Sequence, residues 1–171
     1  MLCQQLEEFL HRIHGKADSA QYQAALIFRL YVHIVKGLTE ISSEVLRDFD
    51  LTPVSFSVLM MLHGAREHAL NPSLVCEVTG ESRANMTRIS DDLLSRGLIE
   101  RVHSDDDRRR LVLTITTAGV RLVQKVLPRL NDRSGALFAD FSAAETRTMV
   151  GLLKRQLRAI EEARPGARRV A

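Results

Sequence analysis

At Gly97 the spacing of apolar residues changes from helical to alternating, and this change limits what the chain can fold into more than any other feature. Before it, Met86, Ile89 and Leu93 recur at intervals of three and four, the stripe of an amphipathic helix. Ser82 stands where a side-chain cap belongs, and Gly97 where a helix commonly stops. After it, Leu98-Ile99-Glu100-Arg101-Val102-His103 reads as one strand and Arg110-Leu111-Val112-Leu113-Thr114-Ile115 as a second, β-branched one. The polar run Ser104-Asp105-Asp106-Asp107-Arg108-Arg109 between them makes a hairpin.

Upstream, Asn71-Pro72-Ser73 starts a short helix that Thr79-Gly80-Glu81 ends. A short helix, a turn containing Gly80, a second helix and a hairpin form the order of a winged helix-turn-helix. The remaining segments are helical. A short amphipathic piece ends at Gly15, and residues 19–49 carry Leu26, Leu30, Ile34, Leu38, Ile41 and Val45 as one long stripe. Thr52 and Pro53 suit the cap and first position of a helix through Phe56, Leu59, Met60 and Leu62, followed by a polar loop over residues 64–70. Thr116 or Thr117 caps the next helix, with a kink expected at Pro128, and Ser142 with Glu145 fits a capping box before the last.

The fold expected is mostly α with a small β-hairpin wing. It forms a single domain over residues 1–171, with 51–116 as the winged helix-turn-helix, 1–50 and 117–163 as dimerisation helices, and 164–171 as a basic tail. The stripes of the terminal helices are longer than the small central module can cover, so a homodimer is expected. With 45% hydrophobic residues, only 5% aromatics and no Trp, the core must be aliphatic.

A net charge of +3 says little alone; where the arginines cluster matters more. The major groove, roughly 12 Å wide, admits one helix, which a preceding helix braces. The helix opening at Ser82 would bury Met86, Ile89 and Leu93 and turn Arg83, Asn85, Thr87 and Arg88 outward at its N-terminal end. Arg can fork onto guanine, Asn onto adenine, and Thr can offer its methyl to thymine. Arg108, Arg109 and Arg110 at the hairpin can enter a narrow minor groove, while Asp107 pairs with one arginine and directs the others. The partner is therefore double-stranded DNA, and a twofold dimer would read a palindromic operator with half-sites roughly 34 Å apart.

These residues carry a resemblance. The run from Ser95 through Gly97 to Arg101, then Asp105-Asp106-Asp107-Arg108-Arg109-Arg110, then Leu113-Thr114-Ile115-Thr116-Thr117-Ala118-Gly119, is similar to the signature of the MarR family. Ala84-Asn85-Met86-Thr87-Arg88-Ile89 resembles the EmrR-like branch. The resemblance implies a transcriptional repressor, a dimer built from the first helix and the last two, Arg109 as the minor-groove residue and Asp107 as its buttress. It also implies release from DNA by a small aromatic or phenolic acid.

For that effector, Arg29 and His33 lie one turn apart on the long first helix, and Phe56, Met60 and His63 lie on one side of the second. A cation for the acid group and apolar surface for the ring suit a nicotinate- or salicylate-like acid. The competing reading leaves Arg29 in solvent and His33 as a satisfied interface residue. A redox-responsive regulator would use Cys3 or Cys76, although Cys76 beside Val75 and Val78 also suits a small apolar role. No metal and no cofactor are expected: His11 with His14, and His63 with His68, lack acidic or thiol partners. Phosphate-loop, nucleophile-elbow, metalloprotease and Cys-x-x-Cys patterns are missing, so the chain is not expected to be an enzyme. An interaction module that has lost DNA binding would need none of these arginines. Leu2 to Leu10 is broken by Gln and Glu, and no stretch reaches the ~18 apolar residues of a membrane span. A cytoplasmic location is expected.

Overall fold

The computed structural model describes residues 2–15, 19–103 and 111–163. The chain divides into two compact units, Met1–Leu130 and Asn131–Ala171.

In the first unit, α1 (Leu2–His14) packs on α2 (Ala20–Arg47), burying Leu10 and Tyr22. The Tyr22 hydroxyl donates to the Glu7 carbonyl at 3.4 Å, which keeps the polar end of the ring satisfied. Ser19 caps α2 by accepting from the Tyr22 amide. Beyond Leu51, the helix α3 (Pro53–Gly64) opens with the cap read from the sequence: the Ser55 amide donates to Thr52 Oγ1, and the Thr52 amide donates to Ser55 Oγ.

Residues 64–70 are more ordered than a polar loop. Arg66–His68 forms a 3-10 turn in which Glu67 and His68 take positive φ, and Ala69–Leu70 is a strand, β1. It is followed by α4 (Pro72–Thr79) and α5 (Arg83–Ser95), with Asn71 and Ser82 as their caps. The turn between them needs Gly80, which sits at φ +71°, a left-handed conformation that a β-carbon disfavours. Then come β2 (Ile99–His103) and β3 (Leu111–Ile115), paired antiparallel from Ile99–Ile115 to His103–Leu111. The sheet has three strands in the order β1-β3-β2, with Ala69 opposite Thr114 and Leu70 opposite Leu113.

One core holds this unit. Val58, Leu59 and Leu62 of α3, Val75 of α4, Met86, Ile89 and Leu93 of α5, Ile99 and Leu113 of the sheet, and Val123 and Val126 of α6 (Thr117–Ala136) are all buried in it. Side chains of this kind are worth about 1.5–3 kcal/mol each when removed from water, so the module is stabilised chiefly by these contacts. Thr116 caps α6: its Oγ1 accepts from the Gly119 amide and donates to the Gly97 carbonyl at 2.7 Å. α6 continues through Pro128.

In the second unit, α7 (Ala143–Ala163) begins with the expected capping box. The Glu145 amide donates to Ser142 Oγ, and the Ser142 amide donates to Glu145 Oε2 at 2.9 Å. No residue of α7 is buried, and Val150, Leu152, Leu153, Leu157 and Ile160 are all exposed. The α1–α2 pair likewise leaves Phe9, Ile13, Ile27, Phe28, Val32, Ile34, Val35 and Leu38 exposed. Among the described residues no helix is long and apolar enough to cross a membrane.

Candidate nucleic-acid interface

The two faces of α5 separate as the periodicity requires. Met86, Ile89 and Leu93 are buried against α3, α4 and the sheet. On the opposite side Arg83, Thr87 and Arg88 are exposed within the first two turns. Ser82 accepts from the Asn85 amide, so its hydroxyl holds the helix start. The Arg83 guanidinium makes no hydrogen bond among the described residues, whereas Thr87 Oγ1 donates back to the Arg83 carbonyl at 2.9 Å.

Asn85 differs from its expected place. It is half-buried rather than free in solvent, with its amide engaged at both ends. Nδ2 donates to Glu81 Oε2 at 2.6 Å, and Oδ1 accepts from Arg88 Nη2 at 3.0 Å. Glu81 precedes the Ser82 cap and so lies outside the helix whose spacing pairs side chains four residues apart; no local pattern in the sequence points to it.

The C-terminal half of α5 is anchored to its neighbours. At its C-terminal end Arg96 donates to the carbonyls of Phe49 and Asp50, the turn between α2 and α3. Lys125 and Arg129 of α6 lie over the Phe49 ring of that turn, 5.5 and 5.1 Å from its centroid, and Arg129 pairs with Asp48 at 3.4 Å. From β2, Arg101 reaches back to Asp91 of α5 at 2.6 Å. The wing residues Asp107, Arg108, Arg109 and Arg110 lie outside the described residues; the hairpin is described up to the His103–Leu111 pair.

The residues read as an effector site are distributed differently from the simple expectation. Phe56 is only 7% exposed and belongs to the core, so it is not an open wall. Met60 is half-buried and packs against that core. The ring of His63 stacks on His68 at 5.8 Å, nearly parallel, and its Nδ1 is buried with no partner among the described residues. His68 Nδ1 lies 3.0 Å from the His63 carbonyl. On α2, Arg29 is exposed and His33 half-buried, and neither makes a hydrogen bond or ion pair among the described residues. Cys3 is exposed on α1; Cys76 is half-buried and packs against the core. No group of three or more His, Cys, Asp or Glu among the described residues could hold a metal ion.

Comparison with known proteins agrees with this architecture. The MarR family profile matches residues 49–110. The transcriptional repressor MprA of Escherichia coli strain K12 is 30% identical over 157 residues, covering 92% of this chain and 89% of that protein. A mutant of E. coli MarR complexed with operator DNA superposes with a TM-score of 0.70 at 24% identity, covering 82% of this chain and 99% of that one. Bordetella bronchiseptica BpsR, solved to explain regulation of its DNA binding by 6-hydroxynicotinic acid, gives a TM-score of 0.66 at 23% identity, covering 82% and 94%. At those identities the two structures speak to the fold alone.

Proposed function

The chain belongs to the MarR family, whose members are transcriptional regulators and not enzymes, and from that premise we propose that it represses transcription by binding a palindromic operator as a homodimer. The observation that carries this reading is the polarity of α5. Its apolar face is locked into the core, and Arg83, Thr87 and Arg88 stand together on the exposed face. A helix held this way presents donors to a major groove without rearrangement. In this reading Ser82, Arg83, Asn85, Thr87 and Arg88 contact the groove. Asp107, Arg108, Arg109 and Arg110 form the second contact, in the adjacent minor groove.

The dimer is supported by the exposed apolar side chains of α1 and α2 and, separately, of α7. Exposed leucines and phenylalanines in such number call for a cover, and a twofold copy supplies the same surface to itself. A protein acting on chromosomal duplex works in the cytoplasm.

The effector in this reading is a small aromatic acid. Arg29 and His33 supply the charge, and Met60 and His63, backed by Phe56, supply the apolar side. BpsR shares only the fold, so the support comes from these residues.

Binding to duplex DNA across a salt series tests the central claim. A dimer neutralising ~6–10 phosphates loses on the order of 10³–10⁵ in affinity between 50 and 200 mM salt. A chain that binds no duplex at low salt is not a DNA-binding regulator. Repeating the titration with nicotinate and salicylate tests the effector: unchanged affinity with both removes that class.

A further inference from the structure

We propose that Glu81 is a positioning residue for sequence readout, holding Asn85 and Arg88 in a fixed donor–acceptor order on the exposed face of α5. The inference rests on the DNA-binding reading and adds to it a residue that touches no base in the proposed contact.

The order follows from the chemistry of the three groups. A carboxylate can only accept hydrogen bonds and a guanidinium can only donate them. The Asn85 amide lies between the two, at 2.6 Å from Glu81 and 3.0 Å from Arg88. Its nitrogen must therefore face Glu81 and its oxygen must face Arg88; the flipped amide would set N–H against N–H and oxygen against oxygen. The ambiguity that normally attends an asparagine amide is removed here by its neighbours.

Two consequences follow for a base pair. Asn85 retains one N–H and one oxygen lone pair, the complement that a bidentate contact with adenine requires. Arg88 uses one of its five donors on Asn85, which restrains the guanidinium before DNA arrives and lowers the ordering cost of binding. Glu81 carries a negative charge on the segment leading into the reading helix, where it opposes generic attraction to phosphate. It thus lowers sequence-independent affinity while raising the contrast between bases.

The experiment uses the full-length chain and a duplex library with a randomised centre, comparing wild type, Glu81→Ala and Glu81→Gln. Base preference is read by selection and sequencing, generic affinity with poly(dI-dC), and folding by thermal melting. Glu81→Ala is expected to lose on the order of tenfold in discrimination at the positions read by Asn85 and Arg88. Its generic affinity should rise, with melting unchanged. Glu81→Gln keeps an acceptor for Asn85 Nδ2 and should retain most of the discrimination while sharing the rise in generic affinity. A Glu81→Ala profile identical to wild type, from a wild type that selects sequences, overturns the proposal and leaves the DNA-binding reading intact. Equal loss in both variants also overturns it, because charge and not amide orientation would then be responsible. A wild type that selects nothing overturns both.

Discussion

Nη1 of Arg96 donates a 2.6 Å hydrogen bond to the backbone carbonyl of Asp50, a residue held at φ +52°. The same guanidinium donates to the Phe49 carbonyl at 3.0 Å, so its planar fork spans two consecutive peptides. The end of α5 is thereby tied to the turn through which α2 passes into α3. Lys125 and Arg129 of α6 lie over the Phe49 ring of the same turn, and the turn thus links α5 with α6.

Arg96→Ala should therefore cost more than its exposed pairing with Asp92 would suggest. That 3.5 Å i,i+4 pair is worth only ~0.3–0.5 kcal/mol, whereas charge-assisted bonds to carbonyls are worth roughly 1.5–3 kcal/mol each. A loss of about 2 kcal/mol, or roughly 4–8 °C in Tm, is expected for a chain of this size. Arg96→Lys should recover only part of it, because an ammonium has no fork. Melting curves decide the point; a change below about 0.5 kcal/mol would mean that the Asp50 turn holds itself.

Gly119→Ala should destabilise the module. A β-carbon there would overlap the Leu98 carbonyl oxygen and lie 2.6 Å from Ile115 Cγ1, and the backbone oxygen cannot yield. The ordinary helix gain of about 1 kcal/mol for glycine to alanine is expected to be overturned by overpacking, which typically costs 1–3 kcal/mol and here meets backbone. Gly135→Ala in the same helix meets nothing within 4 Å and should stabilise the chain instead. Chemical denaturation of the two variants would show opposite shifts in midpoint; shifts of the same sign would contradict the close packing of α6 on the α5–β2 junction.

Acid should loosen the start of α7 progressively as pH falls through the ordinary glutamate range and below it. The Ser142 hydroxyl and then the Ser142 amide, both donating to Glu145, hold its carboxyl below its usual value. A carboxylate with a lowered folded pKa contributes stability that is present above the unfolded value and lost as pH falls through the folded one. Amide exchange in the first turn of α7, corrected for its intrinsic pH dependence, should therefore accelerate as Glu145 protonates. In Glu145→Gln this component should vanish, since the amide oxygen accepts without titrating; an identical pH response in both chains would dismiss the cap as its source.

Arg83 and Arg109 should fail in different ways. Arg83→Ala is expected to relax base preference at one position per proposed half-site by ~1–3 kcal/mol, because its exposed guanidinium has no partner among the described residues and is available to a base. Arg109→Ala is expected to weaken binding strongly with the dimer intact, and a wild-type affinity in that variant would remove the wing from the mechanism. Selection experiments together with sedimentation separate the two.

The helices and their limits were readable from local chemistry. Thr52-Pro53, Asn71-Pro72, Ser82 and Ser142 with Glu145 act on amides within three residues of themselves, so their role depends on little beyond the neighbouring sequence. The buried face of α5 was equally legible, since a 3.6-residue period assigns Met86, Ile89 and Leu93 to one side whatever they pack against. Tertiary structure decided what depends on distant partners. Ala69–Leu70 is too short to show a period and is a strand only because Leu113 and Thr114 of β3 lie beside it. Phe56 belongs to the core, not an open wall, because α3 is covered on more sides than its own pattern could reveal. Asn85 reads from the sequence as a free contact residue, but Glu81 and Arg88 hold both ends of its amide; Glu81 lies before the Ser82 cap, where helical spacing does not reach, so only the folded turn brings the two together.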